Sequence, residues 1–407
     1  MFQHKSAYPV VLVPGLVGYG EENAINKVLP YFGLTATSAQ KVIQDMGIPC
    51  HAPNFGALSG VWARACELYA QIVGGTVDYG EAHSKKYGHP RYGKTYQKAM
   101  VPDWGSLDDE GKIVKINLIA HGFGAPVARL FVELLNNGSE EERATTKDGT
   151  LSGLFVGGYN NIVHSVVSIA GVNDGITAFQ AFEDRVPGAT RSILKGCIAF
   201  EELKLRTGYI DPYYAKQGIK VTQYGLSAVF NFFDKNHEGK PIEFDEFGID
   251  RYLALKDGNI FYETSIPGMK EINNRILAHE NTYYFSITGS VTSNLMGKFT
   301  IPKLSAGLLA PTALLISTFE NYYTDKPIVT PVYHENDGLV NTESSLAPVS
   351  ETATAYKNPS KCQPGIWYQM PVENKNHLAF MGLGQRPDVY RNCIYDLIKI
   401  ISNLEIV

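Results

Sequence analysis

The stretch Ile116-Asn117-Leu118-Ile119-Ala120-His121-Gly122-Phe123-Gly124-Ala125 decides the fold of this chain. The apolar, partly β-branched run over 113–120 predicts a buried strand. After the turn, apolar residues recur at the spacing of an amphipathic helix, which Gly138 would end. These apolar residues are Val127, Leu130, Phe131, Leu134 and Leu135. The stretch therefore predicts a strand, a tight turn and a helix in direct succession.

Gly122 stands at the tip of the predicted turn, between the small residues Ala120 and Gly124. In a nucleophile elbow the tip carries a serine, and small neighbours allow the strand and the helix to approach closely. Gly122 has no side chain, so nothing at this position can attack a carbonyl carbon. The alternative is an ordinary strand–helix junction with a glycine turn, because a motif is a hypothesis until its structural context is known.

The composition is that of a globular chain without affinity for polyanions. Its 407 residues can bury a large core, and 44% of them are hydrophobic and 19% charged. The formal net charge is −5, and no basic run is interleaved with aromatic residues, so we expect no binding to nucleic acid. The most apolar later stretch, 305–316, is interrupted by Pro311 and is too short to cross a membrane.

The N-terminal residues show no pattern of a secretory leader. A polar start leads directly into a short apolar run at 10–13, without the charged and apolar regions of a signal peptide. We therefore expect an intracellular protein, with a leader removed before the first numbered residue as the alternative. An odd number of cysteines without zinc-finger spacing predicts scattered reduced thiols. They are Cys50, Cys66, Cys197, Cys362 and Cys393.

Strands and helices alternate along the chain, which predicts an α/β fold with a mostly parallel central sheet and helices on both faces. The predicted strands lie at 10–13, 113–120, 161–170 and 283–288, and the predicted helices at 36–46 and 61–73. Helical patches follow over 177–225, the segment 234–248 is acidic and loop-like, and 333–342 reads as a strand followed by an acidic loop. We expect a single domain over 1–407, with a helical lid or insertion over 176–300.

Two backbone amides and two side chains would complete a site for nucleophilic catalysis. The amides of Leu16, in the loop after the first strand, and of Phe123, after the turn, are expected to form an oxyanion hole. Asp337 and His377 follow the turn in the chain order acid, then histidine. The imidazole would take the nucleophile's proton while the carboxylate fixed its tautomer. Each also has a plainer interpretation, Asp337 as a turn aspartate before glycine and His377 as a surface histidine.

On these and further motifs the chain resembles the bacterial lipases typified by the thermophilic Geobacillus and the staphylococcal enzymes. Val10-Val11-Leu12-Val13-Pro14-Gly15-Leu16-Val17-Gly18 resembles their first strand and oxyanion loop, and Val73-Gly74-Gly75-Thr76-Val77-Asp78-Tyr79-Gly80 resembles a family hallmark. The loop Asn336-Asp337-Gly338-Leu339-Val340-Asn341-Thr342 matches the one that carries the catalytic aspartate, and His377-Leu378 matches the catalytic histidine. The resemblance covers nearly the whole chain and implies an α/β-hydrolase fold in which Gly122 replaces the nucleophilic serine.

The zinc site that the resemblance implies is degenerate. His83 and His89 match its two histidines and Asp257 is a plausible match for one acid, but Ala63 stands where the second acid is expected. A tetrahedral zinc needs about four nitrogen, oxygen or sulfur donors. We therefore expect zinc to be a weak cofactor at most, and the alternative is that the two histidines only bond to nearby backbone.

Two other family features are also lost. Ala379 and Gly384 occupy the positions of the two carboxylates in the family's calcium site. Calcium prefers several oxygen ligands that include carboxylates, so we expect no calcium there. Pro14 replaces the histidine of the oxyanion loop, which removes an imidazole but leaves the following amides available.

Three functional hypotheses follow. The first is a catalytically inactive lipase-like protein with a structural, scaffolding or ligand-binding role, within a larger protein assembly or with a lipid or acyl ester in its cleft. Its support is the set of losses at Pro14, Ala63, Gly122, Ala379 and Gly384. The alternative, supported by the retained Asp337 and His377, is a triacylglycerol lipase or other carboxylester hydrolase whose serine has been replaced by glycine. The third is residual hydrolysis, with the same two residues activating water directly.

Overall fold

A seven-stranded, entirely parallel sheet forms the centre of the molecule. The computed structural model describes residues 8–23, 25–56, 58–147, 149–206, 246–295, 299–320, 322–323, 326–327 and 331–406. The strand order is β12-β13-β7-β6-β5-β1-β2. These strands are β1 Val10–Val13, β2 Cys50–His51, β5 Ile116–His121, β6 Val163–Ile169, β7 Tyr283–Ile287, β12 Ala353–Ala355 and β13 Trp367–Gln369.

The sheet is buried on both faces because its central strands are apolar on both faces. Side chains alternate across a strand, so Leu118 and Ala120 of β5 enter one hydrophobic core while Ile119 enters the other. Helices α3 (Val61–Val73) and α5 (Gly124–Asn137) pack together over the first core. On the opposite face, α2 (Ala39–Asp45) packs against α15 (Pro387–Ser402). The predicted α/β fold, with a central parallel sheet and helices on both faces, is confirmed.

The remaining elements surround this three-layer frame. Three antiparallel hairpins are formed by β3 Gly75–Asp78 with β4 Tyr92–Tyr96, β8 Thr292–Leu295 with β9 Phe299–Pro302, and β10 Tyr322–Tyr323 with β11 Lys326–Pro327. The other α-helices are α1 Ile25–Val28, α4 Glu81–Tyr87, α6 Glu140–Thr145, α7 Gly153–Val156, α8 Ala178–Arg185, α9 Ala189–Arg206, α10 Glu246–Ala254, α11 Ile260–Glu263, α12 Ile266–Asn273, α13 Ala310–Ser317 and α14 Thr342–Leu346. Short 3-10 helices lie at Leu304–Leu309, Pro331–His334, Pro359–Lys361 and Ala379–Met381.

The predicted elements of the frame lie where the sequence places them. The strand Val10–Val13 and the helix Val61–Val73 have the predicted bounds, and the predicted helix 36–46 is shorter, beginning at Ala39 because Ser38 caps it. The prediction of an acidic loop over 234–248 is wrong at its end, because α10 begins at Glu246. Residues 234–245 lie outside the described ranges. All five cysteines lie in the described ranges, and none of them forms a disulfide there.

The prediction of a strand at the start of 333–342 is wrong. Pro331–His334 forms a 3-10 helix, and two side-chain-capped turns follow it. The side chain of Asn336 accepts the N–H of Gly338 at 2.8 Å, and Asp337 accepts the N–H of Val340 at 2.7 Å. Asn and Asp side chains that bond to the backbone two or three residues ahead favour turns over strands.

The segment 176–300, predicted as a helical insertion, contains both helices and part of the sheet. Its described helices are α8 to α12, the last of which ends at Asn273. Strand β7 then returns the chain to the central sheet beside β6. The described helical part of the segment is therefore shorter than predicted, and residues 207–245 lie outside the described ranges.

Candidate active site

Gly122 sits in a sharp turn between β5 and α5. The N–H of Gly122 donates to Ile169 at the end of β6 (3.0 Å), and the Gly122 carbonyl accepts the N–H of Val172 (3.1 Å). A Cβ on Gly124 would lie 2.5 Å from the carbonyl oxygen of Val13, so the helix start can approach β1 only with glycine there. Gly122 itself has φ of 54°, the left-handed region that a residue with a side chain adopts only with strain. This is the sharp strand–turn–helix backbone geometry of a nucleophile elbow, here without strain because the residue is glycine.

Asp337 and His377 form a buried hydrogen-bonded pair beside this turn. The Nδ1 of His377 lies 2.9 Å from Oδ2 of Asp337, whose side chain is 1% exposed. The other carboxylate oxygen accepts the N–H groups of Leu339 and Val340, and the His377 N–H donates to the Asp337 carbonyl at 3.0 Å. When Nδ1–H donates to the carboxylate, Nε2 is the ring nitrogen that can accept a proton.

That free nitrogen faces Gly122. A Cβ built on Gly122 would lie 3.1 Å from Nε2 and 3.3 Å from Cε1 of His377, and among the described residues, its chain neighbours aside, no other atom would lie within 4 Å of it. The three residues that the sequence predicts for catalysis, Gly122, Asp337 and His377, are therefore brought together. Within the described ranges, the imidazole that would accept a proton is the group that faces the position of the side chain that Gly122 lacks.

Two backbone amides are available on the same edge of the sheet. Strands β1 and β5 are neighbours in parallel register, with Val13 beside Ala120, so the loops that follow them leave the sheet side by side. Leu16 lies in the first loop and Phe123 in the second. In the described part of the chain, neither backbone N–H has a hydrogen-bond acceptor. Unpaired amides near a buried base can stabilise the oxyanion that forms when a carbonyl is attacked.

A buried hydrogen-bond chain connects the oxyanion loop to the histidine. The N–H of Gly15 donates to the Tyr31 hydroxyl oxygen at 3.0 Å, and this hydroxyl lies 2.8 Å from Nδ1 of His121. The Nε2 of His121 lies 3.2 Å from the carbonyl oxygen of His377. Burial holds the pKa of His121 well below its usual value, and His377 lowers it further. The neutral ring therefore donates from Nε2 and accepts the Tyr31 hydroxyl at Nδ1.

The residues of the degenerate zinc site lie together but do not converge. The Nδ1 of His83 lies 3.0 Å from Nε2 of His89, whereas the Nε2 of His83 lies 2.9 Å from Oδ2 of Asp257. A zinc ligand offers one atom to a common centre about 2.0–2.2 Å away, but His83 turns different nitrogens to its two neighbours. Ala63 supplies no donor, so the set does not fit tetrahedral zinc. Across the described ranges, no group of three or more histidine, cysteine, aspartate or glutamate residues is arranged to hold a metal.

The backbone supplies a partner for one of these histidines, as the alternative interpretation expects. His89 Nδ1 lies 2.9 Å from the carbonyl oxygen of Pro90, and burial lowers the pKa of His89 to about 4. The calcium positions have no acidic side chain to contribute: Ala379 begins a 3-10 helix, and Gly384 has φ of 68° in an open loop. The absence of calcium stays a prediction.

The site contains two residues that the sequence analysis missed, Tyr31 and Arg64. The sequence does hold one indication of a buried Arg64, since it lies three residues after Val61 and four before Leu68, on the buried face of the helix. Tyr31 carried no signal, since its contact with His121 spans 90 residues of chain.

No helix in the described ranges has both the length and the apolarity needed to cross a bilayer.

The turn, the buried acid–histidine pair and the free amides on a parallel sheet define the α/β-hydrolase class of protein. Comparison with known families specifies this further. The chain belongs to the lipase-like family described as "Lipase-like, C-terminal domain", which matches residues 6–394. It is similar to Lipase 2 of Staphylococcus aureus, with 28% identity over 411 aligned residues that cover 98% of this chain and 55% of the relative. The chain thus spans about half the length of this relative.

Solved structures of similar proteins share the fold over almost their whole length. EstA from Clostridium botulinum aligns with a TM-score of 0.76 and 29% identity, covering 100% of this chain and 90% of its own. The lipase of Staphylococcus hyicus aligns with a TM-score of 0.75 and 27% identity, covering 98% of both chains. Lipase 1 from Pelosinus fermentans has a TM-score of 0.72 and 30% identity, covering 96% of this chain and 98% of its own.

Proposed function

We propose that this chain carries the site of a carboxylester hydrolase of the lipase type, in which glycine replaces the nucleophilic serine. The observation that carries the proposal is the geometry around Gly122. His377 Nε2 lies 3.1 Å from the position of a Cβ on Gly122, and Asp337 still holds the imidazole at 2.9 Å. A buried base aimed at this position is the arrangement that takes a proton from a hydroxyl placed there. Relatives named as lipases support the same class.

In this proposal each group has a defined role. A hydroxyl at position 122 would attack the ester carbonyl while His377 took its proton and then passed it to the leaving alcohol. Asp337 would stabilise the imidazolium, and the amides of Leu16 and Phe123 would hold the oxyanion. The chain as it stands keeps the base, the acid and the two amides, and lacks the hydroxyl. An acyl ester held at this site could not form an acyl-enzyme, so any turnover would come from water activated by His377.

The second candidate is a pseudoenzyme with a binding or scaffolding role. The observation that favours it is the rebuilt zinc site, where His83 contacts His89 directly and Ala63 replaces an acid. Loss of several independent features is the pattern expected of a protein no longer selected for catalysis. In that case position 122 would be one change among many, and restoring it would not restore hydrolysis.

Two measurements separate the candidates. The first is the turnover of p-nitrophenyl butyrate and of emulsified tributyrin by a Gly122→Ser variant. Rates typical of a lipase on both substrates support the hydrolase, and a folded variant with no turnover supports the pseudoenzyme. The second is the residue encoded at position 122 in the native gene. A serine codon there supports the hydrolase directly, and a glycine codon favours the pseudoenzyme.

A further inference from the structure

Arg64 is a fully buried cation that touches both loops of the candidate oxyanion hole. It projects from α3 with none of its surface exposed. One terminal nitrogen donates to the Gly15 carbonyl at 2.9 Å, and its Nε donates to the Ser59 carbonyl at 2.9 Å. The guanidinium carbon also lies 5.2 Å from the centre of the Phe123 ring, a cation–π distance. One side chain thus contacts the residue before Leu16 and the residue after Gly122.

The bond to Gly15 fixes the direction of the Leu16 amide. Gly15 C=O and Leu16 N–H belong to one planar trans peptide unit, in which the two groups point in opposite directions. Since the oxygen points at Arg64, the Leu16 N–H must point away from the helix that carries Arg64. The neighbouring peptide is held separately, because the Gly15 N–H donates to Tyr31 at 3.0 Å.

The turn that contains this peptide is strained and needs external support. The N–H of Gly18 donates to the Gly15 carbonyl at 3.2 Å, which closes a four-residue turn. Its third residue, Val17, has φ of 48°, while Leu16 does not have a positive φ. This is the pattern of a type II turn, in which the third position normally needs glycine. A β-branched residue there is a genuine outlier, and such outliers persist where surrounding contacts over-determine them.

Arg64 remains a cation in this buried position. Burial lowers its pKa, but the nearby Glu67 acts in the opposite direction. A guanidinium stays protonated in proteins and presents several donors in a rigid fork. A buried, charged donor makes a stronger hydrogen bond to a carbonyl than a neutral one does. The Gly15 carbonyl is therefore held more firmly than by the Gly18 amide alone.

We propose that Arg64 is a positioning residue for ester hydrolysis, which holds the Gly15–Leu16 peptide so that the Leu16 amide faces the developing oxyanion. The proposal rests on the proposed function, since an oxyanion hole matters only where a carbonyl is attacked. It acts through the Leu16 amide and makes no contact with the substrate. Arg64→Met, which keeps an unbranched, flexible side chain in the core but removes its donors, is the direct test.

The first measurement is structural and uses the chain with Gly122 unchanged. Crystal structures of the Arg64→Met variant and the parent chain are compared at the Gly15–Leu16 peptide. We expect this peptide to rotate so that the Leu16 N–H leaves its position; an unchanged orientation overturns the proposal. The matched control is Arg129→Met, which removes a second buried arginine (2% exposed) whose bonds go to Asn173 and Asn273. This control should leave the peptide in place.

If the Arg64→Met variant does not fold, Arg64→Lys decides the question, because lysine keeps the buried charge. Two outcomes support the proposal: the lysine nitrogen bonds to the Gly15 oxygen and the Leu16 amide keeps its place, or the lysine nitrogen bonds elsewhere and the Leu16 amide moves. It falls if the amide keeps its place while the lysine nitrogen bonds elsewhere.

The second measurement is kinetic and uses the Gly122→Ser background. Loss of one oxyanion donor costs about 10²–10³ in kcat, so the Arg64→Met change should lower kcat by about 10-fold or more and leave KM little altered. Because sulfur is a weak hydrogen-bond acceptor, hydrolysis of the matching thionoester should fall less than that of the oxoester. Equal losses for both esters overturn the kinetic part of the proposal. If the Gly122→Ser parent itself is inactive, the proposed function fails, and the structural measurement still decides the role of Arg64.

Discussion

The substitution Gly122→Ser should make the protein an esterase and, in the same step, make it less stable. Position 122 has φ of 54°, where glycine is free of strain and every other residue is strained. The same turn that would present a hydroxyl to His377 is therefore the turn that disfavours a side chain. Glycine avoids the backbone strain of this turn but provides no nucleophile.

The size of both effects follows from the structure. A residue with a Cβ in the left-handed region costs roughly 1–2 kcal/mol relative to glycine. The Cβ would also lie 3.1 Å from His377 Nε2, so the imidazole must shift by a few tenths of an ångström. We expect the free energy of unfolding to fall by about 1–2 kcal/mol. Loss of the nucleophile from a hydrolase triad costs about 10⁶ in kcat, so its return should raise hydrolysis by about 10⁴–10⁶.

Gly122→Ala is the matched control, because alanine has the same Cβ and no hydroxyl. Denaturant unfolding of the parent and of both variants gives the free energies, and initial rates on p-nitrophenyl butyrate give the activity. The two variants should lose similar stability, and only the serine variant should hydrolyse the ester and react with an alkyl phosphonate. Equal free energies of unfolding for all three proteins would refute the strain predicted for a side chain at position 122. A folded serine variant that stays inactive would refute the retained catalytic geometry.

Three further predictions concern the site and its surroundings. In the Gly122→Ser background, Asp337→Asn should lower kcat by about 10⁴, measured as initial rates, because an amide cannot hold the imidazole in the tautomer that carries its proton on Nδ1. Ala63→Asp should create a zinc site with stoichiometric metal by elemental analysis and zinc-dependent thermal stability, whereas Ala63→Asn should not; stoichiometric zinc in the parent chain would contradict the fit described above. The pKa of His164 is lowered by burial to about 3, so its contribution to stability is present above pH 6.5 and is lost as the pH falls, by up to about 1.4 kcal/mol per pH unit. In His164→Phe, the slope of the unfolding free energy against pH between pH 6 and 4, measured by denaturant unfolding, should be smaller by the amount that corresponds to about one proton bound on unfolding, about 1.4 kcal/mol per pH unit.

Local sequence patterns predict the frame of this protein because the frame is built from local rules. The strand Val10–Val13 and the helix Val61–Val73 keep their predicted bounds, and the elbow strand and helix lie where hydrophobic periodicity places them. Gly122, Asp337 and His377 could be named because the chain order of an elbow, an acid and a histidine follows from the fold. The wrong strand before Asp337 has the opposite cause, since side chains there bond to the backbone and override an apolar pattern.

The supporting contacts of the site could not be predicted, because they join residues far apart in sequence. Tyr31 meets His121 across 90 positions, and Arg64 meets Gly15 across 49. Neither contact follows from a periodicity or a motif in one sequence. The same limit applies to Val17, whose positive φ contradicts its β-branched side chain and is understood only with Arg64 and Tyr31 in place. Sequence reasoning fails where tertiary contacts hold a residue against its local preference.

The two places where this chain departs from the lipase pattern that it resembles differ in their surroundings. Around Ala63 the neighbouring side chains are closed together, because His83 contacts His89 directly and stacks on Trp62 at 4.9 Å between ring centres. At the elbow there is no such closure. In the part of the chain that the structure describes, the position of a Cβ on Gly122 is met by His377 alone, apart from its chain neighbours, and Asp337 orients that ring at 2.9 Å. Packed interiors leave few empty spaces, so an open position beside an intact acid–histidine pair sets Gly122 apart from the closed cluster around His83. For this reason we infer that hydrolysis returns with the hydroxyl alone.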